Sequence, residues 1–158
     1  MLYERYSRLM MAVCLRYCKD EFLAQEALQN GFIKMFHSLH CYNPELPFGP
    51  WIRRIMINCS LDQLSKKPDT VDIDEVNYAG NAVYNQMDAE LTGAELMCLV
   101  DTMPAGYRTV FNMYVIDDMS HQEIAEILQI TEATSRSQLF KARNYLKNAL
   151  TKQQKMYL

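Results

Sequence analysis

The chain has 158 residues, 49% of them hydrophobic and 22% charged, the balance of a folded globular protein rather than a disordered one. It holds no run of eighteen apolar residues, and its start, MLYERYSRLM, scatters charges among apolar residues, so neither a membrane span nor a signal peptide is expected and the protein belongs in the cytoplasm. A formal charge of −3 speaks against a nucleic-acid partner only until it is divided along the chain. Residues 1 to 67 hold nine Lys and Arg against six Asp and Glu, residues 68 to 90 hold six acids and no base, and residues 91 to 158 hold seven of each.

Leu2, Tyr6, Leu9, Met10, Val13, Cys14 and Tyr17 recur at spacings of three and four, which predicts an amphipathic helix. A second stripe of Phe22, Leu23, Ala27, Leu28, Phe32, Ile33, Phe36 and Leu39 predicts another, with Gly31 as the weak position in its middle. Asn43, Pro44, Pro47 and Pro50 then mark a loop. Trp51 to Leu64 reads as a third helix, with Trp51, Ile52, Ile55, Met56 and Cys59 toward a core and Arg53, Arg54, Asn58 and Asp62 off that stripe, Asp62 on a solvated face. After Lys66-Lys67-Pro68 the period fades and the bases vanish, so residues 68–90 read as an acidic linker.

The second block opens with Leu91 to Val100, followed by Pro104 and a helix through Tyr107, Val110, Phe111 and Tyr114, with a turn at Asp117-Asp118. Ser120 and Glu123 form an S-x-x-E capping box ahead of the short helix HQEIAEIL. Thr131 caps a longer helix through Leu150, with Glu132 in its first turn and its bases further on, as the helix dipole favours. In this block every base except Arg108 lies from Arg136 onward, where no acid opposes them. The fold class expected is all-α, a three-to-four-helix N-terminal bundle and a C-terminal helix-turn-helix domain joined by the linker.

Two helices of unequal length joined by a short turn, the second bearing Arg136, Ser137, Gln138 and Lys141 near its start, describe a helix-turn-helix. An α-helix about 10–12 Å across fits the major groove, and residues near the start of the recognition helix then reach base edges. Arg136, Ser137, Phe140 and Lys141 share one face, while Leu139, Ala142 and Leu146 turn to the core. Arg143, Lys147 and Lys152 continue toward phosphates. Spacing alone fits an ordinary helical hairpin with a solvated basic face equally well.

Longer motifs discriminate between these. SHQEIAEILQITEATSRSQLFKARNYLKNAL, preceded by MPAGYRTVF, resembles the fourth conserved region of the extracytoplasmic-function (ECF) sigma factors of the sigma-70 family. AQEALQNGFIKMF resembles that family's polymerase-binding segment, written around D-x-x-Q-E-x-F, and FGPWIRRIMINCSLDQL resembles its F-x-x-W-L-x-x-I-x-x-N-x-x-x-D pattern. The chain departs from the family at Glu26 (usually Asp), Asn30 (usually Glu), Gln129 and Ala133 (usually Gly) and Ser135 (commonly Val).

The resemblance implies that residues 1–67 form sigma region 2 and bind core RNA polymerase through Glu26, Gln29, Asn30, Phe32 and Lys34. It also implies that this region opens and reads the minus-ten promoter element with Phe48, Trp51, Arg54 and Asn58. A base flipped from the stack needs an aromatic wall and an amide to read its edge; Phe48 and Trp51 fit a core plug as well. Residues 91–158 would be region 4, reading the minus-thirty-five element of promoter DNA with Arg136, Ser137, Gln138, Phe140, Lys141 and Arg143. An anti-sigma factor is a further family-level partner.

His37, His40 and Cys41, or Cys14 and Cys18, do not make four ligands in a metal-site spacing, and the five cysteines and eleven methionines read as core filler. No glycine-rich phosphate loop, activated nucleophile or paired carboxylate is present, so no catalysis, cofactor or small-molecule substrate is expected. The competing readings are a non-sigma helix-turn-helix transcriptional regulator with an N-terminal sensing or dimerising domain, opposed by INCSLDQL and ALQNGFIKMF, and a helical adaptor without DNA contact, opposed by the bases after Glu132 that no acid in the following sequence opposes.

Overall fold

A computed structural model describes residues 1–66 and 93–156, the side chains to 151. The described residues are helical, without a strand, and divide into two compact units. The acidic linker read at 68–90 lies outside them. No helix among them is long and apolar enough to cross a membrane.

The first unit packs α1 (Leu2–Cys18), α2 (Glu21–Ser38) and α3 (Phe48–Ser65) against one another, with a 3₁₀ turn at Leu39–Cys41 after α2. The break between α1 and α2 takes two residues. Lys19 adopts the left-handed conformation, φ 58°, and its N–H closes α1 on the Leu15 carbonyl at 3.0 Å. Asp20 then caps α2 by accepting from the Leu23 N–H at 2.9 Å, a contact worth about 1 kcal/mol.

Helix α3 begins at Phe48, one turn before the Trp51 start expected from sequence. Pro50, which the sequence places in the preceding loop, stands third in the helix, where an amide has no intrahelical acceptor to lose. The core of this unit is Met10, Val13, Cys14, Tyr17, Ala24, Ala27, Leu28, Phe32, Met35, Ile52, Met56, Ile57 and Cys59. It is narrower than the sequence stripes. Leu2, Leu9, Phe22, Ile33, Phe36 and Leu39 fall on the period yet stand exposed, because each helix meets neighbours over only part of its girth. Cys41 is exposed, as is Cys98 in the second unit, so those two are not core filler, whereas Cys14, Cys18 and Cys59 are buried. Desolvation pushes the Cys14 thiol up to about 11.

Asp62 is not merely solvated. Its Oδ2 accepts from the Lys34 ammonium at 3.0 Å, tying α3 to α2 and raising the lysine's pKa. Where α2 and α3 press closest stands Gly31: a Cβ there would lie 2.2 Å from the Met56 sulfur. The glycine that weakens the helical pattern is what lets the helices meet.

The second unit contains α4 (Gly93–Asp101), α5 (Ala105–Phe111), a π-helical stretch Asn112–Ile116, α6 (His121–Leu128) and α7 (Glu132–Met156). Arg108 donates to the carbonyls of Asp101 and Met103, and the Tyr145 hydroxyl donates to the Thr102 carbonyl at 2.9 Å, which fastens α7 to the turn between α4 and α5. Leu139, Ala142 and Leu146 of α7 are buried with Val100, Val110, Phe111, Met113 and Ile124 in the unit's core, as their spacing predicts. Between α6 and α7 there is also a polar tie. His121 Nδ1 lies 2.8 Å from the Ser135 Oγ, which is fully buried, and the Tyr114 ring stacks on the imidazole at 4.5 Å.

Two outcomes follow from this packing. Gly31→Ala gains up to about 1 kcal/mol of helix propensity, but Met56 is fully buried and overpacking a closed site costs roughly 1–3 kcal/mol, so the substitution lowers stability. With Met56→Ala in place the obstacle is gone and the same change at Gly31 raises stability. Urea unfolding followed by the fluorescence of Trp51, the chain's sole tryptophan, reads this reversal of sign.

His121 is held below its usual imidazole range, first by desolvation and then by Arg136, with Arg143 acting the same way and Glu132 opposing. The unfolded chain therefore binds the proton first as pH falls. Stability of the second unit declines as pH drops through the ordinary value of 6.5 and levels off below the folded-state value. Thermal melts between pH of about 7.5 and 5.5 show this slope, and His121→Gln, which keeps a hydrogen-bonding group but cannot titrate, flattens it.

Candidate nucleic-acid interface

The geometry of α7 is set by the three residues before it. Ser120 and Glu123 form the reciprocal capping box expected at the start of α6, the Ser120 hydroxyl accepting from the Glu123 N–H at 3.2 Å and the Glu123 carboxylate from the Ser120 N–H at 2.9 Å. At the other end Gln129 enters the left-handed region, φ 56° and ψ 42°, a position where glycine is the cheaper residue. Its amide donates to the Glu126 carbonyl at 2.7 Å, and the Ile130 N–H to the Ala125 carbonyl at 3.1 Å, so the last carbonyls of α6 are satisfied. Thr131 then caps α7, its hydroxyl accepting from the Thr134 N–H at 3.1 Å.

On α7, Arg136, Ser137, Phe140, Lys141 and Arg143 are all exposed, Phe140 by 66%. Gln138 departs from the expectation. It is half-buried and its Oε1 is enclosed without a hydrogen-bond partner, because its position turns toward the side that Leu139 and Ala142 bury. Arg136 extends back one turn to Glu132, Nη2 to Oε2 at 2.7 Å. The Lys141 ammonium lies 5.9 Å from the Tyr107 ring centroid and the Arg143 guanidinium 6.0 Å from that of Tyr114, so the faces of two rings steady two of the bases. Glu132, Arg136, Phe140, Arg143 and Lys147, at spacings of four, four, three and four, run as one stripe along the helix.

In the first unit the minus-ten candidates do not gather at one point. Phe48 and Trp51 join Tyr42 and Tyr6 in a half-buried aromatic cluster, with Phe48 5.4 Å from Trp51 and 5.1 Å from Tyr6, and Tyr42 5.0 Å from Trp51. They are neither sealed core nor free rings. The Tyr42 hydroxyl donates to the Leu46 carbonyl and holds the loop before α3 against the cluster. Asn58 lies two helical turns beyond Trp51, about 10 Å along the axis. There it lines a separate groove of about 390 Å³ with Lys34, His37, Ser38 and Ile55. Arg54, between them, is half-buried.

Of the polymerase-binding candidates on α2, Gln29, Asn30 and Lys34 are exposed and Glu26 is half-buried. Phe32 is not on that surface: it is buried, its ring 4.7 Å from Tyr3, and serves the bundle. Ile33 and Phe36, assigned to the core by periodicity, stand 56% and 54% exposed. They continue the line of Glu26, Gln29 and Asn30 at helical spacing, and that spacing is the signal in the sequence that could have moved them to the outer face. Among the described residues no group of three or more His, Cys, Asp or Glu stands together as a metal site.

Comparison with known proteins meets this geometry from the outside. Family models for Sigma-70 region 2 and Sigma-70, region 4 match residues 2–68 and 93–146, one in each unit. The chain is 26% identical to the ECF RNA polymerase sigma factor SigM of Bacillus subtilis (strain 168) over 150 residues, 92% of this chain and 91% of the relative. It is 27% identical to the ECF RNA polymerase sigma-E factor of Haemophilus influenzae over 163 residues, 95% of this chain and 86% of the relative. Among solved structures, the fold is similar to that of the sigma factor RpoE in complex with the anti-sigma factor NepR from Bartonella quintana, with a TM-score of 0.62 at 17% identity over 94% of each chain. A structure of CnrH in complex with the cytosolic domain of CnrY is similar at a TM-score of 0.54 and 19% identity, over 95% of this chain and 85% of that one. With both regions matched in order and whole-length relatives of one kind, the chain belongs to the extracytoplasmic-function group of the sigma-70 family of RNA polymerase sigma factors.

Proposed function

We propose that the two units divide the work of a sigma factor. Residues 1–67 act as region 2, docking core RNA polymerase on the outer face of α2 and opening the minus-ten element; residues 91–158 act as region 4, laying α7 in the major groove of the minus-thirty-five element; and residues 68–90 join them. The observation that carries this reading is the outer face of α7, which exposes Arg136, Lys141, Arg143 and Lys147 with no Asp or Glu beyond Glu132 in the sequence, in a chain whose net charge is negative. Neutralising phosphates releases counterions and supplies affinity, while base edges supply choice. On this reading Arg136 sits where a guanidinium can fork onto a guanine and Lys147, three turns along, meets backbone.

On α2 the pairing of exposed Ile33 and Phe36 with exposed Gln29, Asn30 and Lys34 is an apolar patch with a polar rim, the anatomy of a protein–protein contact. The half-open aromatic cluster of Tyr42, Phe48 and Trp51 offers faces on which an unstacked base can rest. No catalytic step of its own belongs to this reading, and the site of action is the cytoplasm, where the polymerase is. An anti-sigma factor is a proposed partner, since two proteins of similar fold have been solved in complex, one with the cytosolic domain of CnrY and one with the anti-sigma factor NepR.

Co-purification with core RNA polymerase followed by run-off transcription from genomic fragments tests the whole. Wild-type chain that fails to associate with core enzyme overturns it. Ile33→Ser with Phe36→Ser should reduce association about tenfold or more without unfolding the bundle, because both side chains already face water. Lys34 needs a paired design: Lys34→Glu alone sets two carboxylates together, whereas Lys34→Glu with Asp62→Lys restores the bridge. Association that stays weak in the swapped pair assigns Lys34 to the polymerase surface; full recovery assigns it to the fold alone.

On a library of promoter variants, Arg136→Ala in the holoenzyme should relax preference at one base position by roughly tenfold, as loss of a bidentate contact worth ~1–3 kcal/mol does. Lys147→Ala should instead lower all outputs alike and flatten the salt dependence. Unchanged base preference after Arg136→Ala would show that another face of α7 meets the bases.

A further inference from the structure

The acid at the head of α7 is out of keeping with the rest of that helix. Glu132 begins the stripe that continues through Arg136, Phe140, Arg143 and Lys147, and a carboxylate brought to a polyanion is repelled unless it is paired. It is paired. Its Oε2 takes a charge-assisted hydrogen bond from Arg136 Nη2 at 2.7 Å, with the two side chains 44% and 59% exposed. We infer that Glu132 is a specificity-determining residue: it braces the Arg136 guanidinium so that the arginine reads a base edge instead of reaching for phosphate. This deepens the reading that α7 enters the promoter major groove and rests on it.

The physical case has three parts. An unbraced arginine on an exposed helix reaches phosphate and base alike, and a phosphate contact carries no sequence information. A guanidinium has five N–H donors in a rigid plane, two of them on Nη2, so the bond from one Nη2 hydrogen leaves the other, together with the N–H of a neighbouring nitrogen, as a two-donor edge for a second planar partner while the carboxylate sets the orientation of the plane. In solvent an exposed pair four residues apart contributes little to stability. Once DNA covers the helix and excludes water the same bond strengthens. A carboxylate in the first turn also suits the helix dipole, and that role predicts a change in melting temperature with no change in base preference.

The experiment uses holoenzyme assembled from the full chain and core polymerase, transcribing a promoter library with every base varied across the minus-thirty-five element. Glu132→Gln keeps size and helix start while removing the charge; Glu132→Ala removes the brace altogether. Both should relax preference at the position that Arg136→Ala relaxes, by about three- to tenfold, while total output holds or rises because a negative charge has left the DNA-facing surface. Combined with Arg136→Ala, neither should change preference further. If Arg136→Ala relaxes a position and the Glu132 variants do not, or only melt earlier, the inference is overturned and the reading of α7 stands. If Arg136→Ala relaxes nothing, the reading of α7 has failed and the inference falls with it.

Discussion

Gln129, Ile130 and Thr131 must turn the chain between α6 and α7, and what α7 presents to solvent follows from how they do it. The left-handed backbone of Gln129 stops α6 and directs Thr131 to the position from which its hydroxyl caps the next helix. A residue other than glycine costs about 1 kcal/mol or more in that conformation, offset here by the bond from its own amide to the Glu126 carbonyl. With the start of α7 set by Thr131, the period of 3.6 assigns Leu139, Ala142 and Leu146 inward and Arg136, Ser137, Phe140 and Lys141 outward. The His121 to Ser135 tie adds a polar lock across the same two helices.

The first unit rests on a different constraint, the close approach of α2 to α3 at Gly31. Met56 fills the space a Cβ would need, and around that point the bundle closes on small and flexible residues: Ala24, Ala27, Met35, Cys14 and Cys59. Tight closure on one side leaves the opposite side of α2 to solvent. Ile33 and Phe36 are there, apolar but outside the bundle.

Ion pairs in this protein orient more than they stabilise. Lys34 with Asp62 and Arg136 with Glu132 are exposed, and exposed pairs are worth ~0–1 kcal/mol. Each nevertheless decides where a long cation is found: Lys34 against α3, and Arg136 against the first turn of its own helix. In both cases the cation lies on a surface the chain is proposed to use, and fixing it beforehand lowers the conformational entropy lost on binding.

Much was legible in the sequence because it is local. The capping residues Ser120 and Thr131, the inward and outward faces of α7, the all-helical class and the family motifs each depend on residues within one or two turns of each other, and short-range geometry is what spacing encodes. Gly31 was legible as a weak point in a helix but not as a contact, since its reason, Met56, lies on another helix. The same holds for the partner of Asp62, the burial of Phe32 beside Tyr3, the exposure of Ile33 and Phe36, and the inward lean of Gln138. Periodicity says which residues share a face of a helix; how much of that face is covered depends on what packs against it, and only the tertiary structure decides that.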